Sequence, residues 1–385
     1  LAAYRALVHG CAVADDSLSI WHNPAGLARM KTADIYFGTE LAFIIRRYRP
    51  PGHDIEEAKI NPSPLPVVTG GARMLVGRNS FIALGLGVYN SFGGAVQFEK
   101  DKVTEGVIKT QIALFEFTPT IAYQVSDRIF IGLGVRLGLA IFNAQKGCHD
   151  IVDCKADPPG QPDFETNIST MSGAGIGYSL GIQVLPTDWM GIGLVYRSNL
   201  GVNLSKSDAV ESTGIIFDAS LELPFPQSVS AGMFFKLTKS VLLAAQFDWV
   251  DNSRFRQIFL DVEGWTYGLA AINTQMNQRD SVALHLGGEF KLHKMFTLRG
   301  GMAYDSQSIP NRYRTRELAD AHKLTWNLGF TVKINRWRID FASELMLGDV
   351  KHGFKSSYFP TEYAAPGRHF HGGTFSLHLG GGVAW

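Results

Sequence analysis

Three cysteines are the side chains of this sequence best suited to covalent chemistry, and two of them lie close together. Cys148 and Cys154 belong to the segment GCHDIVDCKADPPG, whereas Cys11 stands alone. One close pair within an odd count is typical of a local disulfide in an oxidising compartment. We therefore expect a Cys148–Cys154 disulfide, with two free thiols or a metal site as the alternatives. The neighbours that could complete a metal site are His149, Asp150 and Asp153.

A basic stripe, formed by Arg312, Arg314 and Arg316, occupies alternate positions of a long polar segment. The planar guanidinium group of arginine binds carboxylates in a two-pronged geometry. One interpretation of the stripe is therefore a site for a carboxylate ligand. The other is a row of like charges that water simply solvates.

Catalytic groups are not evident in the sequence. It has no HExxH pattern and no pair of carboxylates in a recognisable setting, and its scattered histidines lack the spacing of a metal site. Covalent catalysis needs a nucleophile, a base and an orienting group at one place. We predict neither enzymatic activity nor a bound metal or cofactor.

The composition narrows the class of protein. The 385 residues include 36 Lys or Arg and 35 Asp or Glu, and a net charge of +1 argues against a nucleic-acid-binding protein. Charged residues make up only 18%, while 41 residues are glycine and 11% are aromatic. This composition favours strands and close backbone contacts over a helical bundle. No segment has the run of about 20 apolar residues that a transmembrane helix needs.

The strongest pattern in the sequence has a period of two. Between Ile129 and Ile141 every odd position carries Ile, Leu or Val, whereas the even positions carry mainly Gly, Ala and one Arg. Side chains of a strand alternate between two faces, so one face is uniformly apolar. The same alternation returns in the segments 281–292, 323–334, 337–347 and 375–385.

Short and long connections alternate between these segments. Tight links such as Gly77-Arg78-Asn79 and Asn335-Arg336 contrast with polar stretches near 144–170, 255–279, 305–322 and 349–373. An up-and-down barrel has short turns at one rim and long loops at the other. We predict an all-β fold, an antiparallel transmembrane barrel of about 14 strands in the bacterial outer membrane. A soluble sandwich is the alternative, but the sequence supplies no second layer to cover the apolar face.

The first residues differ from the rest. Residues 1–32 show no clean alternation and precede the first predicted strand. A barrel of about fourteen strands encloses a lumen too wide for its own side chains to fill. We therefore predict an N-terminal plug from residues 1–32, inside a barrel formed by residues 33–385.

Asn23-Pro24-Ala25 lies in the first of four segments with recognisable motifs. Together the four segments resemble the FadL/TodX family of outer-membrane transporters of long-chain fatty acids and aromatic hydrocarbons. The segment AVADDSLSIWHNPAGLARM is similar to the family's N-terminal hatch and carries its NPA motif at Asn23-Pro24-Ala25. The other three segments are TPTIAYQVSDRIFIGLGVRL, GIQVLPTDWMGIGLVYRS and RGGMAYDSQSIPNRYRTRELADAHKLTWNLGF. The resemblance departs from the family at Ser91, where a proline is usual, and at the SQSIP sequence, where SPVP is usual.

The resemblance implies a route for a hydrophobic cargo, from the outer loops into the lumen and then sideways through a gap at a kinked third strand. The expected gap lies where alternation fails and glycines could allow a bend. Its residues are Asn90, Ser91, Phe92, Gly93 and Gly94. The expected hatch residues are Trp21, His22, Asn23, Pro24 and Ala25.

The sequence leaves open where two aromatic side chains lie and which molecule is transported. Phe115 and Phe117 line an entry groove, or else they face lipid as girdle aromatics. Long-chain fatty acids are the leading cargo, monoaromatic hydrocarbons the second, and a nonspecific porin or surface adhesin is the alternative class. We expect a monomer that contacts outer-membrane lipid and lipopolysaccharide, to which the basic stripe could also bind.

Overall fold

The structure is a computed structural model that describes residues 10–49, 56–59, 64–76, 80–98, 105–148, 164–212, 215–263, 273–310, 313, 320–348 and 368–385. Strands account for most of them. In chain order they are β1 Ala33–Arg49, β2 Glu56–Lys59, β3 Pro64–Val76, β4 Ser80–Phe98, β5 Glu105–Ser126, β6 Ile129–Cys148, β7 Phe164–Thr187, β8 Met190–Arg197, β9 Leu200–Ser212, β10 Ile215–Phe225, β11 Ser228–Lys236, β12 Val241–Val250, β13 Gln257–Val262, β14 Asn273–Gln275, β15 Ser281–His293, β16 Phe296–Asp305, β17 Lys323–Ile334, β18 Trp337–Gly348 and β19 Arg368–Ala384.

Fourteen of these strands form a closed antiparallel barrel, which confirms the predicted fold. Around the ring the order is β1, β3, β4, β5, β6, β7, β8, β11, β12, β15, β16, β17, β18 and β19. The ring closes where β19 pairs with β1, from Asp34 opposite Ala384 to Arg49 opposite Arg368. A closed barrel has no free edge, so nearly every backbone group of the wall finds a partner within the protein.

The alternating apolar and small or polar residues of each strand lie on opposite faces of the barrel wall. On β6 the odd-numbered residues from Ile129 to Leu139 are 36–50% exposed, whereas Phe130, Arg136 and Ala140 are 5% exposed or less. Large exposed apolar side chains continue around the ring at positions such as Leu84, Leu194, Leu284 and Leu328. In an outer-membrane barrel this outward face contacts the acyl chains, and the inward face can carry glycine and charge.

Two predicted strands are shorter than expected. Apolar alternation in the sequence predicts one continuous strand near 189–204 and another near 215–237, but β8 ends at Arg197 and β11 begins at Ser228. Pro226 has no backbone N–H and interrupts the second of them. The chain between these ends forms a separate hairpin of β9 and β10, which also pairs with β7 and β13.

The β9–β10 hairpin packs against the inner side of the wall. Its residues Leu200, Leu204 and Leu223 are at most 1% exposed and belong to one apolar cluster with Leu114 of β5 and residues of β6 and β7. Glycine permits this close approach, because a Cβ on Gly173 would lie 2.1 Å from the carbonyl oxygen of Asn203. One sector of the barrel thus has a second, inner layer with a dry core.

Residues 10–32, the N-terminal segment, precede β1 and contain a short helix at Ser19–His22 and a 3₁₀ helix at Pro24–Arg29. Asn23 caps the second helix, since its side chain accepts a hydrogen bond from the backbone N–H of Ala25. No helix in the described part of the chain is long and apolar enough to cross a membrane.

Candidate functional site

A bulge interrupts β4 where the sequence predicted an interruption. Asn90 lies opposite Phe115 and Phe92 lies opposite Leu114, so Ser91 is an extra residue without an opposite partner on β5. The extra residue reverses the alternation, because odd positions face inward before it and even positions after it. The Ser91 hydroxyl donates to the carbonyl oxygen of Leu114 at 3.3 Å. The bulge therefore centres on the serine and not on the glycine pair.

On its opposite edge, β4 stops pairing with β3 immediately before the bulge. The pairing of β3 with β4 runs from Val76 opposite Ser80 to Val67 opposite Tyr89. Within the described residues, Pro64–Pro66 of β3 pair with β1 but not with β4. Pro64 and Pro66 have no N–H to donate, so an end of β3 rich in proline leaves fewer unsatisfied donors. We call the space between Pro64–Pro66 and Asn90–Gly94 the β3–β4 interruption.

A buried ion cluster lies on the inward face beside the bulge. Arg136 of β6 donates two parallel hydrogen bonds of 2.7 Å to the Glu116 carboxylate, and Arg197 of β8 donates a third at 3.1 Å. These three residues form what we call the Glu116 cluster. Glu116 lies opposite Tyr89, two residues before the Ser91 bulge. Because two guanidinium groups face one carboxylate, the cluster has an excess of positive charge.

The Glu116 cluster touches the N-terminal segment through Arg197. Its guanidinium lies 4.0 Å from the centroid of the Trp21 ring and also donates to the carbonyl oxygen of Trp21 at 3.1 Å. Trp21 in turn packs edge-on against Tyr89, the residue before Asn90, with a centroid distance of 5.0 Å. Arg197 and Tyr89, which lie close to the bulge, are therefore also neighbours of the N-terminal segment.

Further hydrogen bonds join the N-terminal segment to strands spaced around the ring. The buried Asn23 amide donates to the carbonyl oxygens of Cys11 at 2.7 Å and of Ile182 in β7 at 3.1 Å. Additional contacts reach β1, β12 and β18. They are Ser17 N–H to Asp34 at 3.0 Å, Cys11 N–H to Gln246 at 2.7 Å, and Arg338 to Asp16 at 2.6 Å.

The remaining predicted site residues are distributed as follows. Pro24 and Ala25 are buried and His22 is half-buried in the N-terminal segment. Phe117 is 43% exposed on the outward face of β5, and Phe115 is half-buried on the same face, which favours contact with lipid. Four predicted residues lie outside the described residues, and the structure describes no side chain for Cys148 at the end of β6. Those four are Cys154, Arg312, Arg314 and Arg316.

The sequence interpretation missed several residues of this site. Glu116 and Arg197 occupy inward positions of predicted strands, and a charged residue at such a position was the signal that could have revealed each of them. The alternating prolines of NPSPLP were a second signal, since proline cannot donate to a strand neighbour. The expectation that the sequence contains no GxSxG pattern is wrong, because Gly177–Gly181 reads GYSLG. It matches the spacing around some hydrolase serines, but it lies in the middle of β7 and lacks the strand-to-helix turn that exposes such a nucleophile.

Comparison with known proteins decides the family. The profile described as "Outer membrane protein transport protein (OMPP1/FadL/TodX)" matches residues 2–357. The chain belongs to this family. Members of the family are transport channels and not enzymes, so the chain is an outer-membrane transporter of hydrophobic compounds.

Relatives in the family are distant in sequence but similar in length. Outer membrane protein P1 of Haemophilus influenzae is 23% identical over 372 residues, which cover 86% of this chain and 80% of that protein. A 47 kDa outer membrane protein of Pasteurella multocida is 23% identical over 364 residues, with the same two coverages.

Solved structures of the family share the fold. A Pseudomonas aeruginosa FadL homologue superposes with a TM-score of 0.83 at 17% identity, covering 99% of this chain and 97% of that one. The Ralstonia pickettii toluene transporter TbuX gives 0.69 at 16% identity, covering 98% and 95%. The P. putida toluene transporter TodX gives 0.72 at 13% identity, covering 96% and 94%.

Proposed function

We propose that this transporter carries long-chain fatty acids into the outer membrane and releases them sideways through the β3–β4 interruption. The observation that carries this proposal is the Glu116 cluster. Arg136 and Arg197 are both oriented by Glu116, and their combined charge exceeds that of the single carboxylate. A carboxylate head group would balance this excess, whereas a monoaromatic hydrocarbon such as toluene has no charge to offer.

The position of the cluster supports sideways release. The cluster lies on the inward face at the level where β4 loses its pairing with β3, so a head group bound there would already be beside the proposed exit. The acyl chain would then have a short path to the apolar outer face, where Val88 and Phe117 are 44% and 43% exposed. Hydrophobic transfer into the bilayer requires no energy source, which suits passive uptake.

We further propose that the N-terminal segment acts as the hatch of the barrel, as the resemblance implied for residues 1–32. Its hydrogen bonds to β1, β7, β8, β12 and β18 would hold it across the lumen and prevent free passage of water and ions. We propose a monomer as the functional unit, since a single chain closes the ring without help from a second copy.

The proposal is tested by uptake of labelled oleate in a bacterial strain that lacks its own transporter. We expect the unmodified protein to raise oleate uptake, and Arg197→Met to lower that uptake because the charge is lost while most of the stem remains. Arg336→Met is the matched control, since Arg336 is exposed in a turn beside Trp337. Equal oleate uptake with and without the protein, or import of toluene but not of oleate, would contradict the proposal.

A further inference from the structure

Two consecutive side chains at the bulge face opposite sides of the wall. Ser91 is directed inward, where its hydroxyl donates to the carbonyl oxygen of Leu114. Asn90 lies opposite Phe115 and has the outward parity of Val88, so its side chain begins on the outward face, where the surrounding protein covers its amide nitrogen. Polar side chains are rare on the outward face of such barrels, because transfer of an amide into hydrocarbon is costly.

The amide nitrogen of Asn90 lacks a partner. It is shielded from solvent and makes no hydrogen bond to any residue that the structure describes. An unsatisfied donor that is shielded from water destabilises the folded protein, because it has given up its hydrogen bonds to water without gaining a partner. An apolar residue at position 90 would avoid this cost in a static wall. Among the described residues, the pairing of β3 with β4 ends at Tyr89, so β3 has no residue opposite Asn90. The donor therefore lies at the edge of the interruption, unpaired and covered by protein until the wall opens there.

We propose that the Asn90 side-chain amide donates a hydrogen bond to the carboxyl group of the cargo as it leaves the wall, which makes Asn90 a specificity-determining residue of the exit. This inference rests on the proposed function. A head group would pass from Arg197 in the lumen to the Ser91 hydroxyl and then to the Asn90 amide at the edge of the opened interruption. Each step replaces one hydrogen bond by another, so the polar end of the cargo is never fully desolvated.

The role of Asn90 distinguishes cargoes by their head groups. A molecule with an acceptor at one end gains a hydrogen bond at the exit, whereas an alkane of equal length gains none. Removal of the donor should therefore slow the first cargo and leave the second unchanged. A residue that only shapes the bulge would change both rates together.

The test compares uptake of labelled oleate and labelled hexadecane by Asn90→Leu, Asn90→Thr and Val88→Leu. Leucine keeps the volume without a donor, threonine keeps a donor in a side chain suited to strands, and Val88→Leu is the control on the same outward face. We expect Asn90→Leu to lower oleate uptake roughly 2- to 10-fold, the range of one hydrogen bond. Hexadecane uptake should be unchanged, and Asn90→Thr should retain most of the oleate rate. The difference in gel mobility between unheated and heated samples verifies that each barrel is folded.

The outcomes separate this inference from the proposed function. Failure of the unmodified protein to import oleate overturns both. Import of oleate at the same rate by the unmodified protein and by Asn90→Leu overturns the inference alone. An equal loss of oleate and hexadecane uptake in Asn90→Leu also overturns it, since Asn90 is then a residue that shapes the bulge.

Discussion

Arg197 holds Trp21 by two contacts at once, with its guanidinium 4.0 Å from the ring centroid and a 3.1 Å hydrogen bond to the backbone carbonyl oxygen. The same guanidinium also bonds to Glu116 beside the Ser91 bulge. Displacement of Trp21 would remove two of the contacts that orient Arg197. The N-terminal segment and the wall at the bulge are therefore mechanically linked through one side chain.

The first prediction concerns this link. Trp21→Ala removes the ring beneath Arg197, and we expect it to weaken the attachment of the N-terminal segment by about 0.5–2 kcal/mol, the range of a cation–π contact. Ion conductance of the purified protein in planar bilayers should rise, because the segment spends more time away from the wall. Trp337→Ala is the matched control, since Arg336 lies over Trp337 at the barrel rim, 5.9 Å from its centroid. Equal conductance in the two variants would show that Trp21 does not hold the segment.

The second prediction uses the glycines that receive the N-terminal segment. A Cβ on Gly181 of β7 would lie 2.0 Å from the Asn23 side-chain oxygen, so valine cannot fit while the segment stays in place. We expect Gly181→Val to cost about 1–3 kcal/mol of segment docking by overpacking. Limited proteolysis of residues 10–32 should become faster. Gly300→Val is the control, because the nearest atom to its Cβ is 3.7 Å away. Faster cleavage in the control, or none in Gly181→Val, would contradict the docking described here.

The third prediction concerns the β3–β4 interruption. No described atom lies within 4 Å of a Cβ built on Gly94, so a larger side chain would begin in open space without contacting the backbone of β5. We expect Gly94→Trp to lower oleate uptake roughly tenfold, which corresponds to about 1.4 kcal/mol of added barrier. The amount of folded protein should not change. Gly300→Trp places the same side chain on the lipid side of β16 and should import oleate normally. Normal oleate uptake by Gly94→Trp would show that oleate does not pass through the β3–β4 interruption.

The fourth prediction concerns an outer loop and its dependence on pH. Burial opposes ionisation of Asp320, but Lys323 and the N–H groups of Ile309 and Ser308 outweigh it and hold the pKa of this carboxyl below its ordinary value. The backbone N–H of Ser308 donates to Asp320 at 2.6 Å, and that of Ile309 donates at 3.0 Å. A lowered pKa in the folded state stabilises this loop above the ordinary pKa of about 3.9, and the stabilisation is lost as pH falls through the lowered value.

Hydrogen exchange at Ser308 and Ile309 measures this effect. At neutral pH we expect Asp320→Asn to speed exchange about tenfold or more, since a hydrogen bond to a charged group contributes about 1.5–3 kcal/mol. Asp188→Asn is the control, because Asp188 is fully exposed in the turn after β7 and its contact with Arg128 is 3.7 Å long. Unchanged protection of Ser308 and Ile309 in Asp320→Asn would refute the role of the carboxylate.

Local periodicity in the sequence was sufficient to predict the wall. Alternation from Ile129 to Ile141 specified both faces of β6, because strand geometry sends neighbouring side chains to opposite sides whatever the rest of the chain does. The short and long connections then indicated an up-and-down order and about 14 strands. The interruption at Asn90–Gly94 was predictable for the same reason, as a local failure of alternation, although the bulge centres on Ser91 and not on Gly93 and Gly94.

The tertiary structure alone decided which charges meet and where the hairpin lies. Arg197 and Glu116 are 81 positions apart, and Arg197 and Trp21 are 176 apart, so no short pattern could predict their contact. Their meeting depends on the register of β5, β6 and β8 around the closed ring. The β9–β10 hairpin likewise turns inward because its buried leucines find apolar partners on β5 and β6. Alternation records only that a side chain faces away from lipid, whereas burial against a particular partner depends on the shape of the lumen.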